Sequence, residues 1–250
     1  MANSKTLVLY VFHLLNERVE HFFKNAVFED DQIDFLLICN NKELNFEYPH
    51  YKNVSVFKRE NLGCDFGGWS EGLLHNHLYK NYETFIFANS SVFGPFLPDD
   101  YEGKWTDMYL NGLKKDNIHL FGSTINNAGV EMIVNPYIHS HIQSYIFSMN
   151  KETVEYLMEI QILSITNYSK DIWDAIFNKE ILMSRKIIEK GWNIGSLQKL
   201  YEGVDFTFQT KPAEHYPFHF LGDVTFDNDG GKLWEKTELI FVKGNRFKDI

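Results

Sequence analysis

Arg59-Glu-Asn-Leu-Gly-Cys-Asp-Phe-Gly-Gly-Trp69, followed by Phe85-Ile-Phe-Ala-Asn-Ser-Ser-Val-Phe-Gly-Pro95, is the part of this chain that decides its fold. The first stretch is a glycine-punctuated turn carrying Asn61 and Asp65, placed just after a short apolar run, Val54-Ser-Val-Phe57. The second is an apolar strand that stops at three small polar residues and a Gly-Pro turn. In open α/β sheets, ligands bind outside the carboxyl ends of the strands. Two polar strand ends joined by one helix-length segment therefore describe a single crevice suited to a phosphate-bearing ligand.

Working outward, residues 5–12 form a continuous apolar run, as expected of a strand buried on both faces. From His13 to Phe28 the apolar residues Leu14, Leu15, Val19, Phe22, Phe23 and Ala26 take helical spacing. Ile33–Cys39 is a second buried strand that ends at Asn40-Asn41, and Val54–Phe57 a third. Gly67 to Tyr79 reads as a helix and Thr84–Ala88 as a fourth strand. This β-α-β-β-α-β order predicts parallel strands joined by crossover helices.

Beyond residue 100 the spacing predicts a strand at Ile118–Gly122 and a short helix from Ser140 to Met149. A helix over Lys151–Leu163 comes next, with Asn150 as its N-cap. Tyr168 to Lys190 is helical in pattern, interrupted or bent near Asn178 and closed by Gly191. Glu238–Val242 is strand-like. With no repeat, low-complexity tract or linker, one domain over residues 1–250 is expected, its C-terminal half folding over the crevice made by the first.

Composition narrows the function classes. A chain of 250 residues can bury a substantial core. Its 22 Phe and 13 Tyr fit either a heavy core or a carbohydrate site, since aromatics also stack on sugar rings. The formal net charge of −10 argues against nonspecific nucleic-acid binding and against an anionic membrane surface. A nucleotide remains compatible, because one pocket can be positive on an acidic protein. Cys39 and Cys64 are too few for a disulfide framework, so reduced thiols in an intracellular compartment are expected. No apolar run has membrane-spanning length, and Thr6–Phe12 reads as a strand rather than a signal peptide, so a cytoplasmic protein is expected.

Each chemistry-bearing segment also has a bland reading. Glycines at 63, 67 and 68 let backbone approach a ligand, and Asp65 can accept from ribose hydroxyls or a base. Equally, Asp65 can cap the adjoining helix. The glycine spacing is not the dinucleotide fingerprint, which disfavours a nicotinamide enzyme. Asn89-Ser90-Ser91 would expose an amide and two hydroxyls at the crevice floor, or make an ordinary turn. Hard cations prefer carboxylates, and none stands there. Glu180 opens an apolar-faced run and points elsewhere, or simply complements a helix dipole. Imidazole pairs His139/His141 and His215/His219 have spacings that can ligate a metal, although most such histidines are structural. His219 with Asp223 is the pair of most interest. Lys243 and Arg246 either neutralise a phosphate or are solvated charges.

Taken in order, these segments resemble nucleotide-sugar glycosyltransferases of the GT-A type, and more narrowly the rhamnan-synthesis F-like glycosyltransferases of bacterial and algal-virus polysaccharide pathways. The residues that carry the resemblance are Arg59-x-Asn61-x-Gly63-x-Asp65-Phe-Gly-Gly-Trp69 and Asn89-Ser-Ser-x-x-Gly94-Pro95. After them come His141-Ile-Gln-Ser-Tyr145, Glu180-x-x-x-Ser184 with Gly191, Pro217-Phe-His219, and Phe241-x-Lys243-x-Asn245-Arg246. The resemblance implies an α/β, GT-A-like (Rossmann-like), mostly parallel sheet flanked by helices in a single domain. Residues 1–100 would form the nucleotide-binding half and 101–250 the acceptor and catalytic half.

It further implies a nucleoside-diphosphate sugar donor, a glycan acceptor, and a nucleotide site drawing on Arg59, Asn61, Gly63, Asp65, Gly67, Trp69, Asn89, Ser90, Ser91, Lys243 and Arg246. Similar proteins usually show Asn-Asp-Ser at the strand end; here Ser90 stands in the place of that Asp. A divalent cation, Mn²⁺ or Mg²⁺, is thus left open as a cofactor, with Asn89, Ser91, His219 and Asp223 as candidate ligands. In related inverting enzymes a carboxylate opening a late helix, followed by a basic residue and a glycine, is the acceptor-activating base. Glu180, Arg185 and Gly191 match that arrangement, with Asp174 as the nearest rival base. The competing classes are a non-catalytic carbohydrate- or nucleotide-binding module and a nucleotidyltransferase.

Overall fold

The computed structural model of this protein describes residues 5–115, 117–127, 140–217, 220, 222–224 and 234–246. Strand β1 (Thr6–Phe12) is buried along its whole length. Alternate residues feed two cores, Leu7, Leu9 and Val11 on one face of the sheet and Val8, Tyr10 and Phe12 on the other. Burial on both faces is why the strand reads as an unbroken apolar run rather than an alternation. Helix α1 (Glu17–Asn25) begins where the Asn16 side chain accepts from the amides of Arg18 and Val19, at 3.1 and 3.2 Å. Its acids Glu17 and Glu20 lie in the first turn and Lys24 in the last, matching the helix dipole.

Strands β2 (Ile33–Cys39), β3 (Val54–Lys58) and β4 (Thr84–Asn89) complete the expected parallel unit. Helix α2 (Cys64–Leu74) and a 3₁₀ segment (His75–Asn81) cross from β3 to β4. The helix starts earlier than the sequence predicts. Gly63 takes a left-handed conformation, φ 72°, that turns the chain directly into Cys64. Asp65 therefore occupies the first helical turn instead of a loop. Short strand β5 (Val92–Phe93), helix α3 (Trp105–Leu113), and strands β6 (Ile118–Gly122) and β7 (Ile125–Asn126) come next.

The helix expected over Ser140–Met149 is instead two strands, β8 (His141–Ile142) and β9 (Ile146–Asn150). Ile142, Tyr145, Ile146 and Met149 mimic helical spacing only because nearly everything in this stretch is buried. β9 inserts between β4 and β6 and runs antiparallel to both. The seven-stranded sheet has the order β10-β6-β9-β4-β1-β2-β3, where β10 is Asn193–Ser196. The strand order reverses between β1 and β4, the place where open α/β sheets leave a crevice.

Helix α4 (Lys151–Glu159) has the expected Asn150 cap, which accepts from the Thr153 amide at 2.9 Å, but it stops before Leu163. The late helix starts at α5 (Ile172–Ala175), after the Asp171 cap, rather than at Tyr168. It continues through a π-helical turn (Ile176–Ile181) into α6 (Leu182–Glu189). That turn is the interruption the sequence places near Asn178. Glu180 therefore sits inside a continuous helix and does not open one. Gly191, φ 81°, closes it. The strand expected over Glu238–Val242 is mostly a helical turn, α7 (Lys236–Leu239). Only β11 (Val242–Lys243) is extended, pairing with β5. The architecture is an α/β, Rossmann-like single domain with a mostly parallel sheet flanked by helices.

Trp69 anchors this fold. It is fully buried, with its ring edge-on to Phe66, Phe87 and Phe147 at centroid distances of 5.2, 5.7 and 5.4 Å. Its indole N–H donates to the Ala88 carbonyl at 3.3 Å. Removing a buried indole leaves a cavity, so Trp69→Ala is expected to lower stability by about 3–5 kcal/mol. Equilibrium urea unfolding checks this through the shift in midpoint at unchanged slope.

Candidate active site

The end of β4, the first turn of α2, the β8–β9 turn, the late helix and the segment after β11 enclose a cavity of about 490 Å³. That size suits a bound small molecule. From the first half come Cys64, Asp65, Asn89 and Ser91. The β8–β9 region supplies His141, Gln143, Ser144 and Tyr145, and the late helix supplies Ile172, Phe177 and Glu180. Asp223, Lys243 and Arg246 close the remaining side.

Asn89 organises the floor. Its amide nitrogen donates to Asp65 Oδ2 at 2.8 Å and reaches the Ser144 carbonyl at 3.5 Å, while its oxygen accepts from the Ser91 amide at 2.9 Å. Asp65 keeps some contact with solvent, yet its carboxyl group is closely surrounded by protein. Burial pushes that carboxyl from its ordinary 3.8 up to about 6, against the stabilising Asn89 bond and with the Glu180 charge adding to the rise. Burial likewise pushes the neighbouring Cys64 thiol up, with Asp65 adding to the rise, so this cysteine is no ready nucleophile.

Glu180 faces the floor from the opposite wall. Its Oε2 accepts from the Ser144 amide at 2.7 Å and also from the Ser144 hydroxyl, and its Oε1 lies 3.7 Å from His141 Nε2. Four residues on, the Ser184 hydroxyl accepts from the Ile142 amide at 3.0 Å. The Glu180-x-x-x-Ser184 motif thus grips the His141–Tyr145 motif at two points.

The basic side holds Lys243 and Arg246. Arg246 donates to Asp223, which also accepts from Gln143 Nε2 at 2.9 Å. The Lys243 ammonium lies 5.7 Å from the Tyr145 ring centre and makes no hydrogen bond among the described residues. Burial lowers its proton affinity; Arg246 adds to the lowering, and Glu180 and Asp223 oppose it.

The sequence-predicted residues divide. Asp65, Asn89, Ser91, Glu180, Asp223, Lys243 and Arg246 meet in this one cavity, whereas Arg59, Asn61, Gly63, Gly67, Trp69, Ser90 and Asp174 do not line it. Arg59 is buried against Asn40 and Glu71, donating to them at 2.7 and 2.6 Å. Trp69 is core. At Gly67 a Cβ would sit 2.0 Å from the Leu62 carbonyl oxygen, so that glycine permits close packing of the helix on its own lead-in. The Ser90 carbonyl accepts from Arg18. Asp174 is exposed and takes hydrogen bonds from the Lys170 amide and Asn178. His139 and His219 lie outside the described residues, as do Phe218, Gly230 and Gly231. The sequence marks His141–Tyr145 as a motif but gives Gln143 and Ser144 no separate place in the site; their polar side chains inside a run of apolar ones were the signal.

Among the described residues, no group of three or more His, Cys, Asp or Glu side chains is gathered to hold a metal ion. Asn89 and Ser91 are neutral, and the Asp223 carboxylate is engaged by Arg246 and Gln143. Of the candidate ligands that the structure describes, Asp223 alone offers a charged oxygen, and a hard divalent cation seeks several. Nor is any helix among the described residues long and apolar enough to cross a membrane.

The family model described as rhamnan synthesis protein F (RgpF) matches residues 36–225, most of the chain and all of the sheet from β3 to β10. This chain belongs to the RgpF family. The late helix and most of the cavity lining fall inside the matched span, whereas Lys243, Asn245 and Arg246, which close the cavity's remaining side, lie beyond it. Two virulence proteins named VirA, both from Vibrio anguillarum, are each 30% identical to this RgpF-family chain over 123 residues. The match takes in 48% of this chain and 34% of VirA, so the chain spans about a third of the length of these curated relatives.

Because the folded state raises the proton affinity of Asp65, its contribution to stability is greatest below the unfolded value of 3.8. It is lost as pH rises through about 6. Asp65→Asn removes that loss. The variant is expected to exceed the parent chain in stability by about 1–3 kcal/mol at pH 7, with the difference vanishing near pH 4. Urea unfolding of both proteins at a series of pH values between 4 and 7 measures it.

Proposed function

We propose that this chain is a GT-A-type glycosyltransferase that moves a sugar from a nucleoside-diphosphate donor to a hydroxyl of a glycan acceptor in polysaccharide synthesis of the rhamnan kind. The observation that carries this reading is one cavity, at the carboxyl ends of the strands, with carboxylates on one side and cations on the other. Its family membership adds the polysaccharide context. Residues 1–100 supply Asp65, Asn89 and Ser91 to the nucleotide; the rest of the chain supplies the acceptor side and the charges that act on the reaction.

The chemistry assigns the roles. As the bond between the anomeric carbon and the diphosphate oxygen breaks, negative charge grows on the leaving group. Lys243, with Arg246 beside it, stabilises that charge through charge-assisted hydrogen bonds in a partly dry site. The acceptor oxygen attacks the anomeric carbon from the opposite face, and its proton passes to a carboxylate. Glu180 is that base. Ser144 fixes its Oε2, which leaves Oε1 to take the proton. Direct displacement then inverts configuration at the transferred sugar. A cation is not needed for this scheme, and transfer is expected to persist in EDTA.

Glu180→Gln keeps an oxygen for both Ser144 bonds but cannot take a proton. Transfer should fall about 10²–10⁴-fold while donor binding stays near that of the parent chain, because the loss is confined to the transition state. Near-normal turnover in well-folded Glu180→Gln protein, with loss in Asp65→Asn, would move the base to Asp65. Near-normal turnover in both would leave Glu180 as a brace for the Ser144 turn.

Lys243→Ala is expected to weaken binding of a nucleoside diphosphate about 10- to 100-fold, with or without EDTA. Titrating UDP, GDP and dTDP by calorimetry tests it. Equal affinities in the two proteins would take Lys243 out of the diphosphate site.

A further inference from the structure

Where the late helix leaves the cavity, it carries three large apolar side chains into solvent. Ile172 is 60% exposed, Trp173 66% and Phe177 58%. Trp173 and Phe177 are one helical turn apart, and their rings lie 6.4 Å apart with planes within 21° of parallel. Two near-parallel aromatic rings held open to water by a rigid helix are costly to leave uncovered. Phe177 and Ile172 also line the cavity, so the aromatic face continues directly from the site.

Its surroundings select the occupant. Asp171 and Asp174 are neighbours of Ile172 and Trp173 in the chain, and the whole protein carries a formal charge of −10, which repels an anionic bilayer. Three side chains fall well short of the roughly 800 Å² per partner that a stable protein interface needs. They match a sugar ring, whose apolar C–H face stacks on an aromatic plane while its hydroxyls meet carboxylates and amides at the edge. Asp174 and Asn178, each one residue on from a ring and hydrogen-bonded to each other, form the adjoining polar row of the helix.

We infer that Trp173 and Phe177 form a stacking platform for a sugar of the acceptor glycan, set back from its reacting end. This inference rests on the glycosyltransferase reading and adds to it the size of the acceptor. Seven residues along the helix separate Trp173 from Glu180, roughly 10 Å at the helical rise. A single sugar placed at Glu180 meets at most the Phe177 edge of the platform and does not reach Trp173. An acceptor several sugars long does, so the site is built to extend an existing chain.

The test titrates the full chain by calorimetry with methyl rhamnoside and with rhamnose tri- and tetrasaccharides, sugars chosen for the family's name. The proteins compared are the parent chain, Trp173→Ala, Trp173→Phe, and Tyr51→Ala as an exposed aromatic away from the cavity. Trp173→Ala should weaken oligosaccharide binding about tenfold. Trp173→Phe should restore most of it, and the monosaccharide should be indifferent to all three changes. Thermal shift with nucleotide sugars runs in parallel and should be the same in every protein. Equal oligosaccharide affinity in the parent and Trp173→Ala, including none in either, overturns the platform. So does Trp173-dependent binding to phosphatidylcholine–phosphatidylglycerol vesicles, or Trp173-dependent dimerisation, in place of sugar binding. If nucleotide sugars still stabilise the chain in those cases, the transferase reading stands without the platform; if they do not, both fall.

Discussion

One side-chain amide holds the cavity together. Asn89, at the end of a strand buried on both faces, joins Asp65 on α2, the Ser91 amide on its own turn, and the Ser144 carbonyl of the β8–β9 turn. Ser144 in turn fixes Glu180 on the late helix. Four separate elements therefore meet through one chain of hydrogen bonds. A buried amide left without partners costs free energy that a small domain can ill spare, so the network is over-determined by desolvation. The floor is set by this amide more than by any glycine in the preceding turn.

The charges respond to the same dryness. Burial raises Asp65 and lowers Lys243, both toward their neutral forms. Opposite shifts of opposite charges in one cavity mark it as poorly solvated. In such a place a phosphate meeting Lys243 gains more than it would at the surface, since water screens the interaction less. The proposed binding of a diphosphate at Lys243 is thus compatible with the acidity of the whole chain, because only the nearby charges act inside the cavity.

The π-helical turn explains how one helix serves two purposes. A π turn carries an extra residue per turn, so it rotates the helical faces on its N-terminal side relative to those on its C-terminal side. Toward the C-terminus, Glu180 and Ser184 clasp the β8–β9 strands. Toward the N-terminus, Ile172, Trp173 and Phe177 are turned outward at the cavity mouth. The Asp171 cap fixes where this helix begins, and Gly191 fixes where it ends.

The chain by itself determined the parallel β1–β4 unit, because β1, β2 and β4 are buried on both faces and leave unbroken apolar runs, with only the short edge strand β3 more open. It also determined the Asn150 cap, the break near Asn178, and the polar end of β4 at Asn89, since each depends on a few neighbouring residues; the Asn16 cap came only with the structure. Tertiary structure decided the rest. β8 and β9 were hidden because Ile142, Tyr145, Ile146 and Met149 carry helical spacing when both faces of a short strand are buried. Arg59 and Trp69 looked like ligand contacts in a glycine-rich turn, yet α2 begins early enough to carry Trp69 into the core, where three phenylalanine rings await it, while Arg59 is buried against Asn40 and Glu71. Ser144 and Glu180 stand 36 positions apart. Local pattern records which faces are buried, but it does not record which distant partner fills the space, and that partner is what makes a side chain part of a core or part of a site.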